Sequence, residues 1–412
     1  MHVNVARAVA AVAVCLLVVG CKATHRAEKP AARLERTGDE IVIAGQYFHT
    51  SAPVVLWTDP GGFDAYRTER RFVPWDLASF EDTYEQQGGK PGSVDSPARY
   101  GIRFAPRSAS STQPSTRPSR WQTRRLGTTT AAANFERERA SSRPASTQPR
   151  RSPGERLTDE QFQKVRGGGW PLELVQDKVD QFVMHYDVAG TSRQCFNILH
   201  DHRGLSVHFM LDVDGTIYQT LDVKERAFHA TDSNDRSVGI EIANIGAYPP
   251  SDRQKTLDTW YRKDENGKVR MVLPAWAKSE WIKTPNFVAR PARQERVTGP
   301  IQKGTYEMYD LTPEQYDSPI KLTAALGTAL PKIKMDYPRD ADGNLITKAL
   351  TDSEWEQYQG VMGHYHVQEN KQDPGPAFQW DKVINGARKR MGLKPLPEGD
   401  VINNPKQAVA GK

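Results

Sequence analysis

Cysteine is almost missing from this sequence. Three are present, Cys15, Cys21 and Cys195, and the first two fall in the opening 21 residues. Cys195 is therefore alone in the body of the chain, no intrachain disulfide is available, and the fold must rest on its core. Apolar residues are also few. They make up 37% of 412 residues, low for a compact globule of this length, which implies that part of the chain does not pack. Lysine and aspartate are absent from residues 106–156, where eleven Arg stand against three Glu. That stretch carries a net +8 against +6 for the whole chain, so the remainder is near −2. The positive charge sits in one low-complexity segment, not in a folded groove. No helix-turn-helix or zinc-finger pattern accompanies it, so a nucleic-acid partner is not expected.

An apolar run, Ala8 to Gly20, opens the chain behind Arg7. As a helix it is about 20 Å long at roughly 1.5 Å per residue, too short for a comfortable membrane span. It ends in Leu17-Val18-Val19-Gly20-Cys21, which resembles a bacterial lipobox. The resemblance implies that residues 1–21 are a lipoprotein signal peptide and that Cys21 is acylated as the mature N-terminus. The chain would then be exported and held to a membrane. By the sorting rules of such proteins, Lys22 in place of Asp implies the outer membrane, facing the periplasm. An ordinary signal peptide or a short anchor is the alternative reading.

Residues 22–40 are polar and read as a tether. Residues 41–104 contain two strand-like runs, Ile41–Ala44 and Pro53–Trp57, before the turn signal Asp59-Pro60-Gly61-Gly62; they read as an extension packing on a main domain. Residues 105–156, rich in Ser, Thr, Pro and Arg, cannot bury enough apolar area to offset their ordering entropy, and read as a disordered linker. Residues 157–395 have an α/β pattern, and 396–412 read as a flexible tail. Gln181–Tyr186 is a short, mostly apolar run consistent with a buried strand. Thr191 to Arg203 predicts a helix with Ser192 as N-cap and Gly204 as its stop, which leaves His200 and His202 exposed on it. Leu205 to Leu221 predicts a hairpin turning at Asp214-Gly215, and Ser237 to Ile245 another strand. Thr312-Pro313-Glu314-Gln315 is a capping box, with Pro319 expected to kink the helix it starts. A last helix is predicted from Trp380 to Met391.

Seven of the ten histidines fall at 185, 200, 202, 208, 229, 364 and 366. Clustered His suggests metal, though a single His in an apolar strand is as readily a satisfied core residue. The sharper signal runs from His364 to Phe378: a His and an Asp nine apart, Lys371 two residues before Asp373, and Pro374-Gly375 directly after it. The Pro-Gly pair can present the Asp373 carboxylate on a rigid turn.

This stretch resembles the C-terminal motif of the zinc-dependent N-acetylmuramoyl-L-alanine amidases of type 2, a family related to phage endolysin amidases and peptidoglycan recognition proteins. The other motifs follow in order. They are Val183-Met184-His185-Tyr186, then Ser206 to Gln219 around His208 and Gly215, then Ala227-Phe228-His229-Ala230, then Ser237-Val238-Gly239-Ile240-Glu241-Ile242. Together they cover roughly residues 175 to 392. Two departures stand out: the spacing from His364 to Asp373 is a residue shorter than in many relatives, and residues 247–310 read as an inserted loop.

The resemblance implies an α/β fold with a mixed central β-sheet flanked by helices, and a surface groove for peptidoglycan or a muropeptide. It implies one Zn²⁺ held by His185, His364 and Asp373. Catalytic zinc takes three protein ligands and keeps a fourth position for water. Two imidazoles and a carboxylate leave the site near +1, enough to draw the water pKa from 15.7 towards about 7. Glu241 is then the general acid–base, Lys371 the donor to the developing oxyanion, and His229 a hydrogen-bond partner of substrate. From residue type alone, Asp373 could instead cap a turn, Glu241 and Lys371 could be solvated charges, and His366 competes with His364. His208 reads as structural and Cys195 as a small buried side chain. Two other classes remain open: a module that binds peptidoglycan without cutting it, and a structural lipoprotein joining membrane to wall.

Overall fold

A computed structural model describes residues 36–66, 73–74, 100–102, 172–252 and 255–403. The expected signal peptide, Cys21, the segment read as a tether as far as residue 35 and the segment read as a linker lie outside the described residues. Among those described, no helix is long and apolar enough to cross a membrane.

Six strands form the central sheet: β1 (Val54–Leu56), β2 (Gln181–Tyr186), β3 (Phe209–Leu211), β4 (Ile217–Gln219), β5 (Ser237–Ile242) and β6 (Gly360–Gly363). Their order is β6-β2-β5-β3-β4-β1. Every pairing is parallel except the β3–β4 hairpin, which turns at Asp214-Gly215 with Gly215 at φ 82°. This is the mixed sheet expected from the sequence. Its edge strand β1 comes from the segment read as an extension, so residues 54–56 enter the sheet itself.

Both faces of the sheet are covered, which explains the near-continuous apolar character of β2 and β5. One face, with Phe182, Met184, Phe209, Leu211 and Ile240, packs into the main core. Helix α3 (Pro313–Ala329) contributes Tyr316, Leu322 and Leu326 to that core, and α6 (Trp380–Arg390) contributes Trp380, Val383, Ile384 and Ala387. The α6 residues recur at helical spacing, one apolar stripe turned inward. On the opposite face, Met210 and Tyr218 pack with Cys195 and Phe196 of α2 (Ser192–Phe196).

Several local expectations are corrected. The N-cap of α2 is Thr191, whose hydroxyl accepts from the Gln194 N–H at 3.3 Å, and Ser192 is the first helical residue. The helix then widens into a π turn over Asn197–His202. This rotates His200 inward, where it is fully buried and its ring stacks on Phe196 at 4.3 Å; His202 stays exposed. The capping box of Thr312 and Gln315 is present, but α3 continues through Pro319 to Ala329. A proline in the second turn forfeits a single hydrogen bond, and burial of the surrounding helix face outweighs it. Residues 396–403, read as tail, dock instead: the Asp400 carboxylate accepts from the Trp380 N–H at 3.0 Å, and Asp381 accepts from the Gly399 and Asp400 N–H groups. The inserted segment is also ordered. It forms a hairpin, Val297–Ile301 with Gly304–Met308, and a small core of its own around Leu257, Tyr261 and Ile282.

Asp212, at the end of β3, is fully buried, and burial pushes its carboxyl up to about 8. Its Oδ1 accepts from the Val213 N–H at 2.8 Å and the Ser192 N–H at 3.4 Å. A carboxyl whose folded pKa lies above its unfolded one favours folding most below about pH 4, and that contribution is lost as pH rises through about 8. Asp212→Asn keeps an acceptor oxygen and removes the charge. It is expected to gain on the order of 1–3 kcal/mol relative to the native chain at alkaline pH, and much less near pH 5. Urea midpoints at the two pH values check this; equal differences at both would contradict it.

Candidate metal centre

His185 is the fifth residue of β2, and the register sets it beside Glu241 of β5. On its other side β6 ends at Gly363, opposite Met184. The next residue, His364, therefore comes level with His185 as the chain turns into α5 (His364–Val367). Alternation along the strands gives Val183, His185, Gly239, Glu241 and Met362 one shared face. Val183 and Met362 pack there with Ala230 and Trp355, a small apolar floor beneath the site. Asp373 arrives from the loop after α5. Its carbonyl accepts from the Tyr365 N–H at 3.1 Å, and the turn closes at Gly375, whose φ is 87°.

The three side chains converge. Nδ1 of His185 lies 3.0 Å from Nδ1 of His364. Oδ2 of Asp373 lies 2.8 Å from the first and 2.9 Å from the second. All three residues are buried. Nε2 of His364 faces Oε1 of Gln368 at 2.7 Å. That oxygen only accepts, so a proton sits on Nε2 of His364, the tautomer that as a neutral ligand presents Nδ1. With both imidazoles neutral, the triangle is ringed by lone pairs that one cation satisfies at once; this donor set suits a single metal ion. Burial, and then the neighbouring His364, lower the His185 pKa to about 4. Burial alone would raise Asp373, but His364 and His185 hold its carboxyl well below the usual range. Near neutral pH the pocket therefore offers neutral His185 and ionised Asp373.

The choice between His364 and His366 has a structural reason. Nδ1 of His366 accepts from the Gly363 N–H at 2.9 Å, and its Nε2–H donates to the Ile346 carbonyl at 2.6 Å. Both nitrogens are committed to backbone, and burial lowers its pKa to about 3. His366 anchors the turn that carries His364.

Glu241 is partly buried, and its carboxyl is raised well above the usual range, first by burial and then by the charges of Asp373 and Asp187. Lys371, also partly buried, opposes this: its ammonium lowers the proton affinity of both Glu241 and His185. Lys371 therefore lies within electrostatic reach of the triad. His229 stands beside the triad. Its Nδ1 faces Nε2 of His185 at 2.9 Å, and its Nε2 faces Ser237 Oγ at 3.2 Å. Both ring nitrogens have partners within the protein, and the residue is only partly buried. His208 has a structural setting, with Nε2–H donating to the Glu225 carbonyl at 2.9 Å and Nδ1 accepting from the Gly239 N–H at 3.1 Å.

Three supporting residues escaped the sequence reading. Gln368, which fixes the His364 tautomer, stands four residues after it, a spacing that could have flagged it. Ser237 and Gln302 carry no such signal. Gln302, from the inserted segment, donates to the carbonyls of Tyr365 at 2.7 Å and Gln368 at 3.0 Å, and so clamps the ligand-bearing loop.

Sheet and site together define an α/β domain with a buried two-histidine, one-aspartate centre fit for one metal ion. Residues 175–259 match the family model described as N-acetylmuramoyl-L-alanine amidase. Solved structures similar to this chain include three amidases. The amidase AmiD from E. coli, in complex with the substrate anhydro-N-acetylmuramic acid-L-Ala-D-gamma-Glu-L-Lys, is 18% identical, spans 57% of this chain and 64% of its own, and has a TM-score of 0.30. A selenomethionine derivative of AmpD is 16% identical over 53% of this chain and 87% of its own, with a TM-score of 0.25. The endolysin amidase LysCS from Clostridium intestinale is 16% identical over 53% and 88%, with a TM-score of 0.26. No curated protein matches the chain.

Proposed function

We propose that this chain is a zinc-dependent N-acetylmuramoyl-L-alanine amidase, which cleaves the amide joining the lactyl group of muramic acid to L-alanine in peptidoglycan or its fragments. The observation that carries the reading is the convergence of His185 Nδ1, His364 Nδ1 and Asp373 Oδ2, mutually 2.8–3.0 Å apart, with Glu241 on the adjoining strand.

His185, His364 and Asp373 would hold the zinc. When bound, the ion supplies a lowered water pKa and polarises the scissile carbonyl. Glu241 accepts the proton of the attacking water and returns it to the leaving nitrogen of L-alanine. A carboxyl with raised proton affinity suits that two-way transfer near neutral pH. Lys371 donates to the oxygen that gains negative charge as the carbonyl becomes tetrahedral. A module that only binds peptidoglycan needs neither a complete donor set nor an acid–base group beside it, and both are present here.

The test is incubation of the full chain with purified peptidoglycan, with and without chelator, followed by mass analysis. Stem peptides with a free L-alanine amino group are expected, lost on chelation and restored by added zinc. Absence of such peptides, or cleavage indifferent to chelator, would contradict the proposal.

A further inference from the structure

His185 meets the other two members of the triad through Nδ1, so as a neutral ligand its proton must sit on Nε2. That nitrogen points at Nδ1 of His229, 2.9 Å away. To accept there, His229 must carry its own proton on Nε2, which lies 3.2 Å from the hydroxyl oxygen of Ser237. The two rings meet nearly edge-on, at 86° with centroids 5.1 Å apart. The tautomers along this chain are mutually consistent: His185 donates from Nε2 to Nδ1 of His229, and His229 donates from Nε2 to the Ser237 hydroxyl oxygen, which can take either role.

The surroundings hold His229 in that place. Asn234 Oδ1 accepts from the N–H groups of His229 and Ala230, at 2.9 and 2.7 Å, and sets the backbone of the loop. The ring itself lies against β5 at Gly239. A Cβ there would come within 2.6 Å of its Cε1 and Nδ1, so only glycine leaves room for an imidazole on this strand. Ser237, Gly239 and Glu241 alternate onto the same face. One strand thus supplies the relay's terminus, its clearance and the acid–base carboxylate.

We propose that His229 is a positioning residue of the metal centre, which holds His185 in the tautomer and orientation that ligate through Nδ1. The proposal rests on the metal reading above. It places His229 behind a ligand, where outer partners typically change metal affinity by about 10–100-fold.

The experiment measures zinc affinity of the purified full chain by competition with a chromophoric chelator, and thermal midpoints of the metal-free forms. His229→Phe keeps the ring's bulk and removes the acceptor; it is expected to weaken zinc binding by about 10–100-fold with little change in the metal-free midpoint. His229→Asn can place its Oδ1 where Nδ1 stood, and is expected to recover most of that loss. Ser237→Ala should give a smaller loss in the same direction, and unchanged affinity there would overturn the Ser237 link. Native-like affinity in His229→Phe would overturn the proposal. So would a His229→Asn variant as weak as the Phe variant, since packing alone would then be at work. If the unaltered chain takes up no zinc, the metal reading falls, and this assignment with it.

Discussion

Asp373→Ala is expected to lose stoichiometric zinc and at least about 10³-fold in kcat/KM on a muropeptide, near 4 kcal/mol of transition-state stabilisation. The reason lies in the geometry. Asp373 Oδ2 bridges toward both histidines, at 2.8 and 2.9 Å, and is the triad's anionic member. Without it, two neutral imidazoles 3.0 Å apart remain, a donor pair too weak to compete for zinc at ordinary concentrations. The loss should exceed the roughly 10–100-fold that removal of an outer partner brings. His185→Ala should behave alike. Metal analysis after desalting, beside the rate, checks both, and near-native turnover in a metal-free variant would refute the mechanism.

Glu241→Gln separates chemistry from metal binding. The side chain keeps its length and loses its proton affinity. Glu241 sits on the strand next to His185 but outside the converging triad. Zinc content is therefore expected to stay within about twofold of native, while kcat falls by about 10²–10⁴-fold, the range for removing a general acid–base. That corresponds to roughly 3–5 kcal/mol. Because the raised proton affinity of Glu241 comes first from burial, the glutamine should be tolerated without loss of fold. If turnover is kept, another group carries the proton; if zinc is lost as well, Glu241 belongs to the ligand set.

The sequence carried the centre's members further than it carried their arrangement. An apolar strand holding His185, a Pro-Gly turn after Asp373 and Glu241 on a second strand are local signals, and the structure brings these residues to adjoining strands and one loop. The two-stranded turn at Asp214-Gly215 and the capping box of Thr312 were legible for the same reason: each depends on residues within one turn. What escaped depends on contacts distant along the chain. The burial of His200 follows from a widened helical turn that no periodicity announces. The docking of residues 396–403 depends on the Asp381 and Asp400 carboxylates meeting backbone N–H groups around the start of α6. The motif around His229 gives identity without direction; the packing against Gly239 and the contact with His185 show which way its ring turns. His366 competed with His364 in the sequence, and the structure supports the preference for His364 because the backbone claims both nitrogens of His366.

The central claim is that one ion is held by two imidazoles and one carboxylate. X-ray absorption at the zinc edge of the zinc-loaded full chain tests it most directly. One zinc per chain is expected, with a shell of two imidazole nitrogens and light oxygen donors at about 2.0–2.2 Å, and no sulfur. A shell containing sulfur, a shell without imidazole scattering, or failure to take up one equivalent would contradict the account.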